Sequence, residues 1–424
     1  MLQVAYLREE KELAIKGLSK RNILDAEALI NNVIALDDKR KNTQTSLDAI
    51  LAEMNTASKS IGALMQQGKK EDAEVAKAKI SHLKSNSKLL QEELNSTEDQ
   101  LQKALYNIPN IPHPDVKAGK GEDDNEILSE HGEKPVLGAD KKPHWDLIKD
   151  YDIIDFELGV KITGAGFPVY KGKGARMQRA LLNFFLDEAE KQGFKEIQPP
   201  VMINEASGIG TGQLPDKEGQ MYHIEDMDLY MIPTAEVPLT NMYRDIILEE
   251  SDLPVKMAGY TPCFRKEAGS WGAHVRGLNR LHQFDKVEIV QIQQPDKSYA
   301  ALEEMSAYIQ SLLKKLELPY RVLRLCGGDL GFTSALTYDM EVWSAAQERW
   351  LEVSSVSNFE TYQANRLKLR YKDVDKNKQL LHTLNGSALA FPRILASIIE
   401  NNQTPEGIKV PKVLHPYTGF EIIN

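Results

Sequence analysis

The amino-acid sequence predicts an α+β protein in which a long antiparallel helical hairpin precedes a domain built on a mainly antiparallel sheet. Three observations support this prediction: heptad patterns within residues 27–105, a proline-rich break at 109–114, and successive strand-like segments after residue 135. Because 424 residues exceed the usual size of one compact core, we expect two domains.

Residues 27–105 are predicted to be helical, since they contain no proline and only the glycines Gly62 and Gly68. Apolar and small residues recur at alternating steps of four and three in the second half, at Ala76, Ile80, Leu83, Ser87, Leu90, Leu94, Thr97, Leu101 and Ala104. The same rhythm in the first half selects Leu47, Leu51, Met54, Ser58, Ile61 and Met65. The polar segment 66–72 separates two arms of matched length, each reaching roughly 60 Å. This favours a self-paired antiparallel coiled coil over the alternative, a coiled coil that joins two chains.

The hairpin is expected to end where Pro109, Pro112 and Pro114 interrupt the helical pattern. The predicted domains are therefore the hairpin at 1–108 (coiled coil at about 27–105), a linker at 109–134 and a second domain at 135–424. In that domain the helical stretch 175–192 precedes strand-like runs at 228–233, 256–265, 281–290, 319–326, 338–343 and 350–357. Strands that follow one another without long helices between them favour antiparallel pairing.

The composition says more about the cellular compartment of the protein than about its activity. Two cysteines, Cys263 and Cys326, argue against a disulfide framework and a cysteine zinc site, and fit a reducing cytoplasm. No apolar segment approaches the ~18 residues of a membrane helix, and the charged N-terminus is unlike a secretory signal. The net charge is −10, yet residues 1–110 hold 16 basic and 16 acidic residues, so charge neither supports nor excludes an RNA partner.

The stretch 262–288 carries the first candidate site. If the loop 268–280 joins two strands, alternation brings Arg265, Glu267, Phe284 and Glu288 to one face. A guanidinium forms two parallel hydrogen bonds to phosphate, an aromatic ring stacks on a base, and carboxylates accept from ammonium, hydroxyl or amino groups. These residue types suggest a pocket for a nucleotide and a small amine, whereas the alternative is a structural ion-pair network on a sheet face.

Three further segments add candidate residues. Thr234 and Glu236 alternate onto one face of a predicted strand. Glu352, Ser354 and Ser355 lie among apolar residues, where a carboxylate and a hydroxyl could hold Mg²⁺ with substrate phosphates, or simply form a strand edge. A glycine-containing turn at 384–390 is expected to open a helix near Pro392, which would put Arg393 at a helix N-terminus that favours phosphate.

Taken in order, these motifs resemble the seryl-tRNA synthetases, which are class II aminoacyl-tRNA synthetases. The likeness covers nearly the whole chain: the hairpin, 193-GFKEIQPPVM-202 as the first class II motif, the stretch 262–288 as the second, and 386-GSALAFPR-393 as the third. Segments typical of the seryl enzymes are 210-GTGQLP-215, 234-TAEVPLTN-241 and 352-EVSSVSNFETYQ-363. Ala388 and Pro392 stand where glycine is usual, and Asn365 where arginine is common.

The resemblance implies an antiparallel-sheet class II catalytic domain and assigns roles to its residues. Arg265 and Arg393 would be catalytic and would grip the ATP phosphates, and Glu352 and Ser355 would hold Mg²⁺. The implied serine-binding residues are Thr234, Ala235, Glu236, Arg265, Glu288, Asn385 and Ser387. The implied ATP-binding residues are Arg265, Lys266, Glu267, Arg280, Phe284, Glu352, Val353, Ser354, Ser355 and Arg393.

The implied partners are ATP, L-serine, tRNA(Ser) bound through the hairpin, and tRNA(Sec), with a cytoplasmic homodimer formed through the catalytic domain. The loop 268–280, with Arg276 and Arg280, would act as a mobile strap that meets ATP first and the tRNA acceptor end afterwards. Two other function classes compete: a non-catalytic RNA-binding paralogue, which would lose Arg265, Glu267, Glu288 or Arg393, and an enzyme that loads a carrier protein, which would not need the hairpin.

Overall fold

The computed structural model describes residues 1–267 and 276–424, and this part of the chain forms two compact units. The first unit comprises residues 1–19 and 23–109, and the second comprises 20–22 and 110–424. No helix within the described ranges is long and apolar enough to span a bilayer.

The first unit is helical. Its helices are α1 (Val4–Glu9), α2 (Lys11–Lys20), α3 (Ala26–Gln66) and α4 (Lys70–Tyr106). α3 and α4 pair along their length in antiparallel fashion, because Lys39 lies 3.0 Å from Glu93 and Lys79 lies 2.6 Å from Glu53. The turn between them occupies residues 67–69, within the predicted break.

The seam between α3 and α4 agrees with the heptad prediction in α4 and differs from it in part of α3. Every predicted α4 position is buried or half-buried. In α3, however, the predicted positions Leu51, Ser58 and Met65 are exposed, and their neighbours Ile50, Ala57 and Leu64 are half-buried instead. Two adjacent apolar residues satisfy the same spacing, so the partner helix, and not the sequence pattern, decides which one is covered.

The second unit is built on strands with helices packed against them. The helices are α5 (His144–Asp150), α6 (Phe156–Ile162), α7 (Gly172–Lys191), α8 (Glu205–Thr211), α9 (Glu236–Asn241), α10 (Ser298–Lys315), α11 (Thr361–Leu367), α12 (Phe391–Asn401) and α13 (His415–Thr418). The strands are β1 (Glu126–His131), β2 (Ile154–Asp155), β3 (Val169–Tyr170), β4 (Lys195–Glu196), β5 (Met202–Asn204), β6 (His223–Ile224), β7 (Leu229–Met231), β8 (Ile247–Glu249), β9 (Val255–Phe264), β10 (Gln283–Gln293), β11 (Tyr320–Arg324), β12 (Leu336–Ser344), β13 (Arg349–Asn358), β14 (Arg370–Lys372), β15 (Lys378–Leu380), β16 (His382–Ala390), β17 (Gln403–Thr404), β18 (Gly407–Lys409) and β19 (Ile422–Ile423).

An eight-stranded sheet in the order β1-β11-β12-β13-β16-β10-β9-β4 forms the centre of this unit. All of its pairs are antiparallel except β4 with β9. Residues of α7, α10 and α12 share one large apolar core with the sheet. The predicted α+β class with a mainly antiparallel sheet is therefore confirmed.

Two local predictions were wrong. Glu236 begins the helix α9 and does not lie on a strand; Pro238 fits there because the amide that proline lacks has no partner in a first helical turn. The segment predicted as a turn around Gly386 is the strand β16. A Cβ at Gly386 would lie 3.3 Å from Ile289 and Val356 on the two flanking strands, so this glycine serves close strand packing and not a turn.

Candidate active site

A cleft opens in the second unit between β10, β13, the end of β16 and the start of α12. Leu278, Asn279, Leu281, Lys286, Ala390 and Pro392 form part of its wall. The predicted site residues in its wall are Arg265, Glu267, Arg280, Phe284, Glu352, Val353, Ser354, Ser387 and Arg393.

The pairing of β9 with β10 presents one face to this cleft. Phe284 pairs with Cys263 and Glu288 with Gly259, so Phe284 and Glu288 alternate onto one side, as expected. Arg265 lies just beyond the end of β9, yet its backbone nitrogen still donates to the His282 carbonyl at 2.9 Å. Its guanidinium lies 5.3 Å from the centre of the Phe284 ring, which fixes the charge beside the aromatic surface.

Glu267 reaches the cleft by a different route from the one predicted. Its φ of +48° is incompatible with an extended strand, so alternation does not place it with Arg265. It is instead ion-paired with Arg280 across the mouth of the cleft. The predicted strap at 268–280 lies largely outside the described residues; of its described part, Arg276 packs 5.0 Å from the Trp145 ring centre.

Arg393 is the third residue of α12 and follows Pro392 in the first turn, as the sequence predicted. Its Nε donates to the Asn279 carbonyl at 3.0 Å, and its Nη1 donates to the Glu352 carbonyl at 2.7 Å. Arg265 and Arg393 therefore both line the cleft, and Arg393 lies where the helix dipole also attracts anions.

Beneath the cleft lies a buried polar cluster centred on Lys286. Its ammonium is ion-paired with the fully buried Glu288 and donates to the hydroxyls of Thr234 at 3.0 Å and Ser387 at 3.2 Å. These partners satisfy the hydrogen-bonding capacity of the ammonium, as a buried charge requires. The cluster meets the cleft through Lys286 and Ser387, which line both.

A second carboxylate, Glu236, completes the cluster. Asn385 donates to Glu236 at 2.8 Å and to Glu288 at 3.0 Å, and Gln363 donates to the other Glu236 oxygen at 2.7 Å. Burial, and secondly the charge of Glu288, raises the pKa of Glu236 to about 7. Glu236 therefore keeps its proton to higher pH than an exposed carboxyl does, beside the Lys286–Glu288 ion pair.

Glu352 and Ser355 share a face because of an irregularity in strand pairing. Met340 pairs with Ser354 and Glu341 with Glu352, so Val353 is an extra residue in β13. Glu352 and Ser355 consequently oppose Glu341 and Asp339, which alternate onto one side of β12. Without this bulge, residues 352 and 355 would point to opposite faces.

The oxygens on this face suit a divalent cation that also binds substrate phosphates. Within the described residues, Asp339 Oδ1 is buried without a hydrogen-bond partner, and burial followed by the Glu352 charge holds the pKa of Asp339 well above its usual range. No group of three or more His, Cys, Asp and Glu side chains in residues 1–267 and 276–424 forms a metal site by itself. A hard cation held by one or two protein oxygens and completed by phosphates is the arrangement that Mg²⁺ prefers.

Two predicted residues turn their side chains away from the cleft, and three contributors were missed. Ala235 is buried in an apolar cluster with Leu239 and Val290, and Lys266 lines a separate cavity with Asp216 and His223. The missed residues are Asn279, Lys286 and Gln363. Lys286 could have been found, since it alternates with Phe284 and Glu288 on the same strand face.

Comparison with known proteins agrees with this architecture. Residues 1–112 match the model of the seryl-tRNA synthetase N-terminal domain, and residues 222–402 match that of the tRNA synthetase class II core domain (G, H, P, S and T). The serine–tRNA ligase of Salinibacter ruber is 50% identical over 415 residues, which cover 97% of this chain and 96% of the relative. The chain belongs to the seryl-tRNA synthetase family.

Other members of the seryl-tRNA synthetase family are similar over the whole length. The serine–tRNA ligase of Akkermansia muciniphila is 46% identical, covering 100% of this chain and 99% of the relative. The crystal structure of seryl-tRNA synthetase from Pyrococcus horikoshii complexed with ATP superposes with a TM-score of 0.92 at 34% identity, covering 100% and 99% of the two chains. As a member of this family, the chain is an ATP-dependent aminoacyl-tRNA ligase with a class II core.

Proposed function

We propose that this synthetase activates L-serine with ATP to give seryl-adenylate and then transfers serine to tRNA(Ser) and tRNA(Sec). The observation that carries the proposal is the junction of two environments: an arginine-lined cleft with an aromatic wall, and beneath it a buried cluster in which Lys286 is ion-paired with Glu288. The first suits a nucleotide, and the second suits a small amino acid that carries both charges. Cytoplasmic location and a homodimer formed through the segment 193–202 belong to the same proposal.

On the nucleotide side, Phe284 would stack on adenine, and Arg265 and Arg393 would bind the phosphates. Glu267 would contact the adenine end once its ion pair with Arg280 rearranges. The serine carboxylate would attack the α-phosphate in line, releasing pyrophosphate. With no protein nucleophile in the reaction, catalysis would come from holding the two reactants together and from spreading the developing charge over the guanidinium groups.

On the serine side, the oxygens of Thr234, Glu236 and Glu288 would receive the ammonium group, and Ser387 and Asn385 would line the pocket around the hydroxyl. An alanine substrate would leave buried polar groups of the pocket unpaired, which is costly, whereas threonine would be refused by lack of space. The terminal ribose hydroxyl of the tRNA would then attack the activated carbonyl carbon.

Glu352 and Ser355 are proposed to hold Mg²⁺ together with the phosphates of ATP. The bulge at Val353 puts both side chains on one face, and Arg393 Nη1 lies 3.6 Å from Glu352. A bound Mg²⁺ would neutralise phosphate charge as it builds up. Arg393, which is proposed to bind phosphate, therefore already lies beside Glu352, which is proposed to hold Mg²⁺.

The test is serine-dependent exchange of pyrophosphate into ATP, followed by transfer of labelled serine to tRNA(Ser) and to tRNA(Sec). We expect exchange with serine, much weaker exchange with alanine and threonine, and transfer to tRNA. Exchange without transfer to either tRNA would favour the carrier-loading alternative, and absence of exchange would overturn the catalytic proposal.

The hairpin formed by α3 and α4 is proposed to bind the long variable arm of the tRNA. Replacing residues 45–90 by the native turn 66-QQGK-69 removes 21 residues, three heptads, from each arm. The remaining parts of the arms keep their register, which the ion pair Lys39–Glu93 fixes. We expect exchange to stay within about threefold and serine transfer to tRNA(Ser) to fall more than about 100-fold, because lost phosphate contacts affect only tRNA binding. Equal loss in both assays would mean that the hairpin instead supports folding.

A further inference from the structure

His144, the first residue of α5, is fully buried and contacts the wall of the cleft from behind. Its Nε2 accepts the backbone N–H of Leu278 at 2.8 Å. A backbone amide can only donate, so Nε2 is the acceptor in this contact and the ring N–H is assigned to Nδ1. Leu278 is the middle residue of the single-turn 3₁₀ helix Gly277–Asn279, which lines the cleft.

The other side of the imidazole is fixed by Glu400, a buried residue of α12. His144 Nδ1 lies 2.6 Å from Glu400 Oε1, and the His144 backbone N–H donates to the same oxygen at 2.8 Å. Gln347 donates to it at 2.9 Å, and the Ser344 hydroxyl donates to the second oxygen. The carboxylate therefore has the full set of donors that a buried charge needs, and the ring is held in one orientation and one tautomer.

The turn lies too close to the imidazole to accept a side chain at its first residue. Gly277 has φ of +67°, and a Cβ added there would lie 2.3 Å from His144 Nε2. Because residue 277 has no side chain, the turn packs directly against the imidazole ring of His144. The position of the ring therefore determines the position of the turn.

One hydrogen bond links the turn 277–279 to Arg393, a proposed phosphate-binding residue. The Asn279 carbonyl accepts from Arg393 Nε at 3.0 Å, and the Asn279 side-chain amide donates to Gln347 at 2.9 Å. We propose that His144 is a positioning residue that holds the turn 277–279 against α12, so that the Asn279 carbonyl orients the Arg393 guanidinium for the phosphates of ATP. The inference rests on the proposed function, because it takes Arg393 as a phosphate-binding group.

Two substitutions at His144 separate positioning from simple loss of a buried residue. His144→Gln keeps an acceptor and a donor on one planar group, whereas His144→Leu removes both. We expect His144→Leu to lower kcat/KM for ATP in pyrophosphate exchange by about 10- to 100-fold, as displaced binding groups do, while the KM for serine changes less than about twofold. His144→Gln should recover most of the loss.

Two controls keep the test decisive. His382→Leu removes another buried histidine, one that contacts Ser298 far along β16 from the cleft, and should lower thermal stability without an effect specific to ATP. Gly277→Ala moves the turn while His144 stays, and should reproduce the ATP effect even if His144→Leu fails to fold.

The outcomes distinguish the inference from the proposed function. If the unmodified protein exchanges pyrophosphate in a serine-dependent way while His144→Leu and Gly277→Ala keep its kcat/KM for ATP, the positioning role is wrong and the proposed function stands. If the unmodified protein shows no exchange, the proposed function is wrong. Equilibrium binding of ATP to the same variants then still tests the turn, since unchanged affinity in both would refute its role and weakened affinity in both would support it.

Discussion

Replacing Arg265 by lysine is expected to lower kcat/KM for serine-dependent pyrophosphate exchange by about 100- to 1,000-fold, the usual cost of removing a donor aimed at transition-state charge. Lysine keeps the positive charge but loses the planar fork that forms two hydrogen bonds to phosphate. It also loses the flat contact with Phe284, whose ring centre lies 5.3 Å from the guanidinium, and the bond from Nε to the Pro233 carbonyl. Steady-state exchange kinetics measure the effect.

Arg244→Lys is the matched control for this substitution. Arg244 is also half-buried and also donates to neighbouring oxygens, including Ser207 Oγ at 3.1 Å, but it does not line the cleft. We expect its exchange rate to stay within about threefold of the original, in line with the small effects of substitutions away from special sites. An Arg265→Lys variant as active as Arg244→Lys would remove Arg265 from the phosphate site.

Replacing Glu288 by glutamine is expected to raise the KM for serine by about 100-fold or more, because the pocket would lose the charge that is proposed to face the substrate ammonium. The change also leaves the buried Lys286 without its ion-pair partner, which costs on the order of 3–5 kcal/mol of folding free energy. Because Glu288 is the second cause of the raised pKa of Glu236, that pKa should fall in the variant. Serine KM from exchange assays and chemical unfolding measure the two effects.

A paired substitution separates binding from stability. Glu288→Gln combined with Lys286→Met removes both charges, so the folding free energy should recover largely, since replacing a whole buried ion pair is often nearly neutral. The serine KM should not recover. Recovery of both properties in the double variant would mean that Glu288 is needed only to pair Lys286 and does not contact serine.

The raised pKa of Glu236 also makes the free energy of unfolding depend on pH. In the folded state this carboxyl keeps its proton up to about pH 7, whereas in the unfolded chain it loses the proton near its ordinary value. The folded state therefore binds more protons between these two limits, and this contribution to stability is complete at low pH and is lost as pH rises towards 7. Any gain in serine binding from an ionised Glu236 is thus obtained at the expense of folding free energy.

Period-two and heptad patterns account for the parts of this molecule that repeat. Alternation correctly placed Phe284 and Glu288 together, because β10 is regular where it pairs with β9. The heptad pattern likewise identified the seam positions of α4, because α4 is one uninterrupted helix. The fold class followed from these repeats together with the order of the elements, and the roles of individual site residues came from family resemblance.

Single exceptions to the repeats explain what the sequence did not predict. The bulge at Val353 reverses the side of the sheet to which each later residue of β13 points. No residue pattern in that segment predicts the bulge. The helix α9 overrode a strand-like pattern within six residues. The contact between His144 and Glu400 joins residues 256 positions apart, which no local pattern can indicate.

The length of the hairpin has a mechanical consequence. An α3 of 41 residues is a lever of about 60 Å, so a bend of about 5° near its base sweeps its tip through about 5 Å. That distance exceeds the tolerance of a directed hydrogen bond but hardly weakens the attraction between a basic side chain and a row of phosphates. If the hairpin binds tRNA as proposed, contacts near its tip would therefore depend on long-range charge, and contacts that need precise geometry would lie near its base.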